Sequence, residues 1–440
     1  MFNYNIKLAL KSMRRNPIMT ALMVAAIAVG IGISMTTLTV HYMMSGNPIP
    51  EKSDTLFAIT LDSWNPLRPF DDDRPERGPH QVTFHDAERL IALGKAKRQT
   101  AMFESSLIIE PINDDELPFE AGARVANADF FSMFNVPFIY GSSWDKSADA
   151  AAEPVVVLTR ELNERFFGGE DSVGERLTMQ GIQFQVVGVI DNWEPTPRFF
   201  DVINGGFQDV NEMFIPISLT RALELGSNGS DWGWKSEETT TFEQWLNSES
   251  VWVQYWIELD SASVNARDEY VAHLDAYVSE QKKLGRFERP LNNSIFNVME
   301  WMEYHEVVAN DAKVLLGLSF LFLLVCLLST IALLLTKFIG KTNEISLRRA
   351  LGASRKVIFN QQIAEVAVIG TTGGLIGLAL AGLGLQGIEY LYDAPAGLVR
   401  LDWIMMFAAI GIAITSSVIA GIYPAWRVCQ IPPAAQLKTQ

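Results

Sequence analysis

The segment KTNEISLRRALGASRKVI, residues 341–358, carries five basic residues and one acid in a chain whose formal net charge is −16. It is flanked by two long apolar runs. Upstream, residues 314–336 form a 23-residue run fenced by Lys313 and Lys337, and downstream a second run spans 366–388. Two more runs of this kind occupy 18–44 and 403–425. A bilayer core is crossed by roughly 20 apolar residues rising ~1.5 Å each, so all four are expected to be transmembrane helices. The 27 residues at 18–44 exceed the roughly 7–15 of a signal-peptide core. The MMSGNPIP beyond them shows no small-x-small cleavage signal. The first run is therefore read as a retained anchor.

Charge is distributed by segment. Residues 1–44 sum to +4, residues 45–312 to −25 and residues 313–440 to +5. Basic residues beside a span stay on the cytoplasmic side. The expected topology places segment 1–17, the loop 337–362 and the tail 426–440 in the cytoplasm. The domain 45–312 and the short loop 389–402 lie outside. The acidic balance argues against a nucleic-acid partner. The expected fold class is a membrane protein with four transmembrane α-helices and a large α+β extracytoplasmic domain between the first and second helices.

The exterior domain mixes two periodicities. TLFAITL (55–61), VVVLT (155–159), FQVVGVI (184–190) and VWVQYWIEL (251–259) read as strands, whereas TFHDAERLIAL (83–93) and 263–283 read as helices. A subdomain boundary is expected near residue 192. Both cysteines, Cys326 and Cys429, lie outside this domain, so its own core must hold it. Five of the eleven tryptophans fall between Trp232 and Trp256. Strict alternation puts Trp252 and Trp256 on one face of the 251–259 strand with Gln254 and Glu258. That face is a candidate substrate or partner surface, or a wall covered by a second layer.

Motifs for chemistry on this chain are missing. There is no G-x-x-x-x-G-K-[ST] to cradle a nucleotide phosphate and no H-E-x-x-H. His80 and His85 are five apart, with no further ligand identified. DDDRPER (71–77) lacks the spaced ligands and glycine of a calcium loop. No catalytic residue, metal site or cofactor is assigned to the chain.

The opening segment reads as a short helix, a corner and a new helix. Glu344 and Arg348, four apart, can pair. Ile345 and Leu351, with Leu347 beside them, are read as its apolar side. Gly352 can end the helix in a left-handed turn, and Ser354 can cap the next one. The basic residues also suit contact with anionic lipid. In the third span, Gly370, Gly374, Gly377, Ala381 and Gly384 repeat at spacings of 4, 3, 4 and 3. Small residues on one face allow close helix packing, against this chain or a partner.

EISLRRALGAS closely resembles the loop motif of FtsX-like ABC transporter permeases, which include the macrolide exporters, lipoprotein-release permeases and cell-division permease. The tail GIYPAWRVCQIPPAAQLK is similar to that family's ending, although Ala435 and Gln436 stand where an acid and an alanine are common. NADFFSMFNVPFIYGSSW, EPVVVLTRELNERFFGG and SVGERLTMQGIQFQVVGVI resemble the periplasmic core domain of macrolide-type permeases. The resemblance implies a mechanotransmission (type VII) permease in the bacterial inner membrane. It would pair with a copy of itself or a paralogous permease, and with a separate ABC ATPase that holds ATP and magnesium. A periplasmic adaptor and membrane lipid are further implied partners. The loop would be the coupling helix, with Glu344, Ile345, Leu347, Arg348, Arg349, Ala350, Leu351, Gly352 and Ser354 at the ATPase coupling. The implied output is efflux or extraction of a peptide, lipoprotein or antibiotic. The alternative is control of a cell-envelope enzyme by the same ATPase-driven stroke.

Overall fold

Uninterrupted apolar runs can satisfy their backbone in a lipid environment only as helices or closed barrels, and here they form helices. In the computed structural model, the described residues are 8, 11–13, 15–111, 117–260, 265–308, 310–391 and 403–430. The expected tail beyond 430, most of the 389–402 loop and much of segment 1–17 lie outside them. Helix α1 (Pro17–Ser45) comes first. Within the following domain the main helices are α2 (Phe84–Leu93), α3 (Ala266–Lys283) and α4 (Val298–Tyr304). Helices α5 (Asn310–Ile339), α6 (Thr342–Ala350), α7 (Arg355–Leu391) and α8 (Trp403–Cys429) complete the chain. Four helices, α1, α5, α7 and α8, are long and apolar enough to cross a membrane.

The chain divides into two compact units, Met1–Ser45 with Val308–Gln440, and Gly46–Val307. In the membrane unit, glycines set the helix contacts. A Cβ on Gly370 would stand 2.7 Å from Ser417 Cβ, and one on Gly374 would stand 2.7 Å from Ala413 Cβ, both on α8. On Gly377 it would meet the Ala28 carbonyl at 2.9 Å, and on Gly384 the Thr36 hydroxyl at 2.8 Å, both on α1. Ala381 is fully buried, and its carbonyl accepts from the Thr36 hydroxyl at 3.4 Å. The stripe of small residues therefore serves two neighbours within this chain: its first two glycines take α8 and the remainder takes α1. Helix α5 meets α1 through polar contacts as well. The Ser34 hydroxyl donates to the Ser319 carbonyl at 3.0 Å, and Thr37 donates to the Ser319 hydroxyl at 2.8 Å.

The Gly46–Val307 unit is built on one eleven-stranded sheet. Its strands are β1 (Leu56–Thr60), β2 (Val82–Thr83), β3 (Arg98–Ile109), β4 (Phe119–Ala126), β5 (Phe138–Gly141), β6 (Val155–Leu158), β7 (Arg176–Met179), β8 (Ile182–Ile190), β9 (Met213–Pro216), β10 (Val251–Glu258) and β11 (Ser294–Asn297). The order is β11-β1-β10-β3-β4-β9-β6-β8-β5, with β2 on β10 and β7 bridging β3 and β8. The subdomain boundary expected near residue 192 is corrected by this order. Strands β9, β10 and β11 follow residue 192, yet β9 lies between β4 and β6, and β10 between β1 and β3. Ladder hydrogen bonds thus join both halves of the sequence into one sheet. Local starts follow the expected chemistry. The Thr83 hydroxyl caps α2 by accepting from the Asp86 amide, and Gly94 closes it at φ +57°. His80 packs its ring on His305 rather than on His85, with centroids 4.4 Å apart. Burial pushes the two imidazoles down, His80 to about 4 and His305 to about 2, so both are neutral packing groups at pH 7.

Strand β10 is buried along its whole length, which agrees with covered tryptophans and corrects the reading of Trp252 and Trp256 as an open surface. Trp252 and Trp256 are each 1% exposed, and they belong to separate cores. A register shift between Val251 and Val253 breaks the alternation at Trp252. Trp252 stacks on Trp245 with centroids 4.5 Å apart and meets Phe103 edge-on at 4.8 Å. Trp256 packs among Phe134, Phe199 and Trp301, and its indole N–H donates to the Phe200 carbonyl at 3.2 Å. Between them, the Gln254 amide donates at 2.6 Å to Asp201, a carboxylate held by Arg124 at 2.5 Å in the fully buried interior. Trp252→Ala and Trp256→Ala should each cost ~3–5 kcal/mol of stability, whereas Trp232→Ala, at a position 53% exposed, should stay within ~0.5 kcal/mol. Denaturant unfolding followed by tryptophan fluorescence measures all three. A stable Trp252→Ala/Trp256→Ala protein would restore the surface reading.

Candidate functional site: a basic loop and its charged anchor

Helix α6 has nine residues, too few to be stable alone in water, so its position depends on what holds it. Glu344 in its first turn accepts from Arg348 at 2.6 Å, one turn on, and from Arg15 at 3.0 Å. Arg348 also donates to the Gln361 side chain on α7 at 3.1 Å. Arg349 donates to the Cys429 carbonyl at 3.3 Å. A cation there satisfies an end carbonyl of α8 and complements its dipole. The two arginines therefore tie α6 to different membrane helices.

The apolar side of α6 is corrected. Ile345 is 6% exposed and joins Phe338, Leu334 and Ile358 in the membrane-unit core. Leu347 is 55% exposed and Leu351 80% exposed. At ~100° per residue, Leu347 and Leu351 fall within ~40° of each other, whereas Ile345 lies ~200° from Leu347. One side chain anchors the helix, and the other two form an outward apolar face with exposed Ala350.

The corner follows the glycine signal. Gly352 has φ +99°. The Gly352 amide donates to the Arg349 carbonyl at 3.1 Å, and the Ala353 amide to the Arg348 carbonyl at 3.0 Å. This pair of bonds is the Schellman ending of a helix. The Ser354 hydroxyl then accepts from the Val357 amide at 3.4 Å and starts α7.

Beneath the loop sits a cluster absent from the sequence-derived site residues. Glu365, 2% exposed, pairs with Lys337 at 2.7 Å and Lys341 at 2.9 Å. The Ser12 hydroxyl donates to it at 2.6 Å, and Lys337, 3% exposed, also donates to the Thr20 hydroxyl at 3.1 Å. Lys341 donates to the Ser12 hydroxyl as well. One carboxylate thus connects the segment before α1, the end of α5, the start of the loop and α7. The available signal was an acid at one span end and lysines at another. Ionisable residues at the edge of an apolar segment are retained where they pair.

A four-helix membrane unit with a β-rich domain inserted after the first helix, and a capped basic loop after the second, defines a permease architecture. Residues 20–267 match the MacB-like periplasmic core domain, and residues 316–433 match the FtsX-like permease C-terminal domain. The first match covers more than half of the chain, and the chain belongs to this family of MacB-like, FtsX-type permeases. It is 23% identical over 434 residues to the "Macrolide export ATP-binding/permease protein MacB" of Azoarcus sp. (strain BH72), covering 98% of this chain and 59% of that protein. It is 22% identical over 360 residues to the "Pyoverdine export ATP-binding/permease protein PvdT" of Pseudomonas aeruginosa, covering 82% of this chain and 48% of that protein. Among solved structures, the periplasmic region of MacB from Actinobacillus actinomycetemcomitans aligns with TM-score 0.36 and 14% identity over 60% of this chain and 96% of that one. The chain spans about half the length of the curated relatives it matches.

The anchor makes a quantitative demand. Glu365→Leu should leave Lys337 buried and uncompensated and cost ~3–5 kcal/mol. Lys337→Met with Glu365→Leu should recover part of that loss, because a buried pair can be replaced by apolar side chains. Thermal unfolding of the detergent-solubilised chain measures both. Additive losses would mean that the two residues do not act as a pair.

Proposed function

We propose that this chain is the permease subunit of an ABC transporter of the bacterial inner membrane. A separate ATPase subunit docks on α6, and its ATP-driven closure moves the membrane helices. That motion changes the conformation of the Gly46–Val307 domain to export or extract a substrate such as a peptide, lipoprotein or antibiotic. The basic loop and both termini face the cytoplasm in this reading, which the charge asymmetry across the spans supports. A second permease copy or a paralogue completes the transporter.

The observation that carries the reading is the orientation of α6. Leu347, Ala350 and Leu351 face outward on a helix whose other side is fixed by Ile345, Arg348 and Arg349. An exposed apolar face on a short, capped helix between membrane spans suits a protein contact. Lipid anchoring of basic residues alone requires neither that face nor the Gly352 ending. The relatives' printed names, which pair ATP binding and permease functions with export, support the same reading. No phosphate-cradling motif occurs in the 440 residues, and in this reading the ATP chemistry lies on the partner.

Two variants separate docking from coupling. Leu347→Asp with Leu351→Asp should abolish co-purification with the ATPase, because it places two charges in an apolar contact. Gly352→Val should retain co-purification and lose ATP-driven output, because a β-branched residue at φ +99° is strained by on the order of 1–3 kcal/mol. Wild-type ATPase association in the double aspartate variant would exclude α6 as the docking surface.

A further inference from the structure

The loop also borders a cavity beside the exposed Leu347–Leu351 face. A cavity of about 200 Å3 lies between the segment before α1, helix α6 and the first turns of α7. That is below the roughly 300–1,000 Å3 of a site for a drug-sized ligand, and it suits a headgroup. Four of its lining side chains are basic (Lys11, Arg15, Lys341 and Arg348), and one, Glu344, is acidic. The acids at hand are already engaged. Glu344 is shared by Arg15 and Arg348, and Glu365 behind the cavity by Lys337 and Lys341. Lys11 has no ion-pair partner among the described residues. The lining is thus a positive surface without enough carboxylate to neutralise it.

A second observation narrows the ligand. Gln362 lines the same cavity, is 3% exposed, and its side-chain oxygen has no hydrogen-bond partner. Buried polar atoms are nearly always satisfied, so this acceptor calls for a donor from the cavity. The position narrows it again. Lys341 stands two residues beyond the end of α5, Arg15 two residues before the start of α1, and Gln362 in the second turn of α7. All three lie at or beside the ends of helices long and apolar enough to cross a membrane, where lipid headgroups would stand.

We infer that this cavity binds a phosphodiester anion that also carries a hydroxyl group, the chemistry of a glycerol-headgroup anionic phospholipid. The phosphate lies among Lys11, Arg15, Lys341 and Arg348, and a headgroup hydroxyl donates to Gln362. Basic pockets beside membrane helices are suited to such headgroups. The inference depends on the membrane placement of the loop and not on ATPase docking. A bound lipid would bridge the segment before α1 to α6.

The test is lipid retention by the full chain released from nanodiscs of equimolar phosphatidylglycerol and phosphatidylcholine, read by native mass spectrometry. The wild type should hold phosphatidylglycerol in preference to phosphatidylcholine by at least about fivefold, the worth of one basic contact. Lys11→Gln should lose about that factor, and Gln362→Leu should also weaken retention. Lys356→Gln, an exposed basic position outside the cavity, should not. Glycerophosphoglycerol, the deacylated phosphodiester with free hydroxyls, tests the soluble source at millimolar concentration. If it raises the melting temperature of the wild type but not of Lys11→Gln, while phosphatidylglycerol is not retained, the site is real and its ligand is a free anion. No preference for phosphatidylglycerol and no response to glycerophosphoglycerol would overturn the inference. So would equal losses in Lys11→Gln and Lys356→Gln, which would mark general surface charge.

Discussion

Glu365 is the constraint on which the membrane unit depends. A carboxylate 2% exposed to solvent must be paired to remain charged, and the groups that pair it come from separate parts of the chain. Lys337 ends α5, Lys341 begins the loop, and Ser12 precedes α1. None of these elements can shift far from the others without leaving a charge uncompensated in a poor solvent for charge. The buried pair contributes position more than stability, since well-packed apolar residues could contribute as much energy. Position is what the loop would need for the proposed coupling.

The glycine contacts complete that frame. Leu-rich surfaces gain no hydrophobic energy from one another in lipid, so close approach and polar contacts must hold the helices together. Helix α7 lies within Cβ distance of α8 at Gly370 and Gly374, and of α1 at Gly377 and Gly384. A helix packed this closely on two neighbours moves with them. Helix α6 is continuous with this body through the Gly352 corner and the Arg349 contact to the end of α8. Of its apolar side chains, Leu347, Ala350 and Leu351 are left facing outward. The same geometry that fixes the loop therefore also defines the surface it offers.

Much of this was legible in the sequence because the signals were local. Apolar runs marked the spans, and charge asymmetry gave an expected topology. The left-handed glycine and the serine cap fall inside a few residues of the bonds they make. The family itself was legible in the loop and in the exterior segments. What was not legible depends on distant pairing. Lys337 and Glu365 lie on different helices, and nothing local joins them. Strand order is also non-local: β9 enters between β4 and β6 only because hydrogen bonds reach across the sequence. Trp252 was misassigned because strict alternation does not anticipate a register shift, and separate cores cover both faces of this strand. The side of α6 taken by Ile345 was within reach of helical geometry, since residues two apart do not share a face.

In the proposed stroke, α6 and the membrane helices move as one body when the ATPase works. Spin labels at Asn343 on α6 and Leu375 on α7, both exposed, report the distance between them by pulsed electron resonance. In the reconstituted complex, rigid transmission gives one narrow distance distribution with the same mean in the nucleotide-free and ATP-hydrolysing states. A shifted mean or a second population during hydrolysis would show that the loop swings on its own, and would contradict rigid transmission.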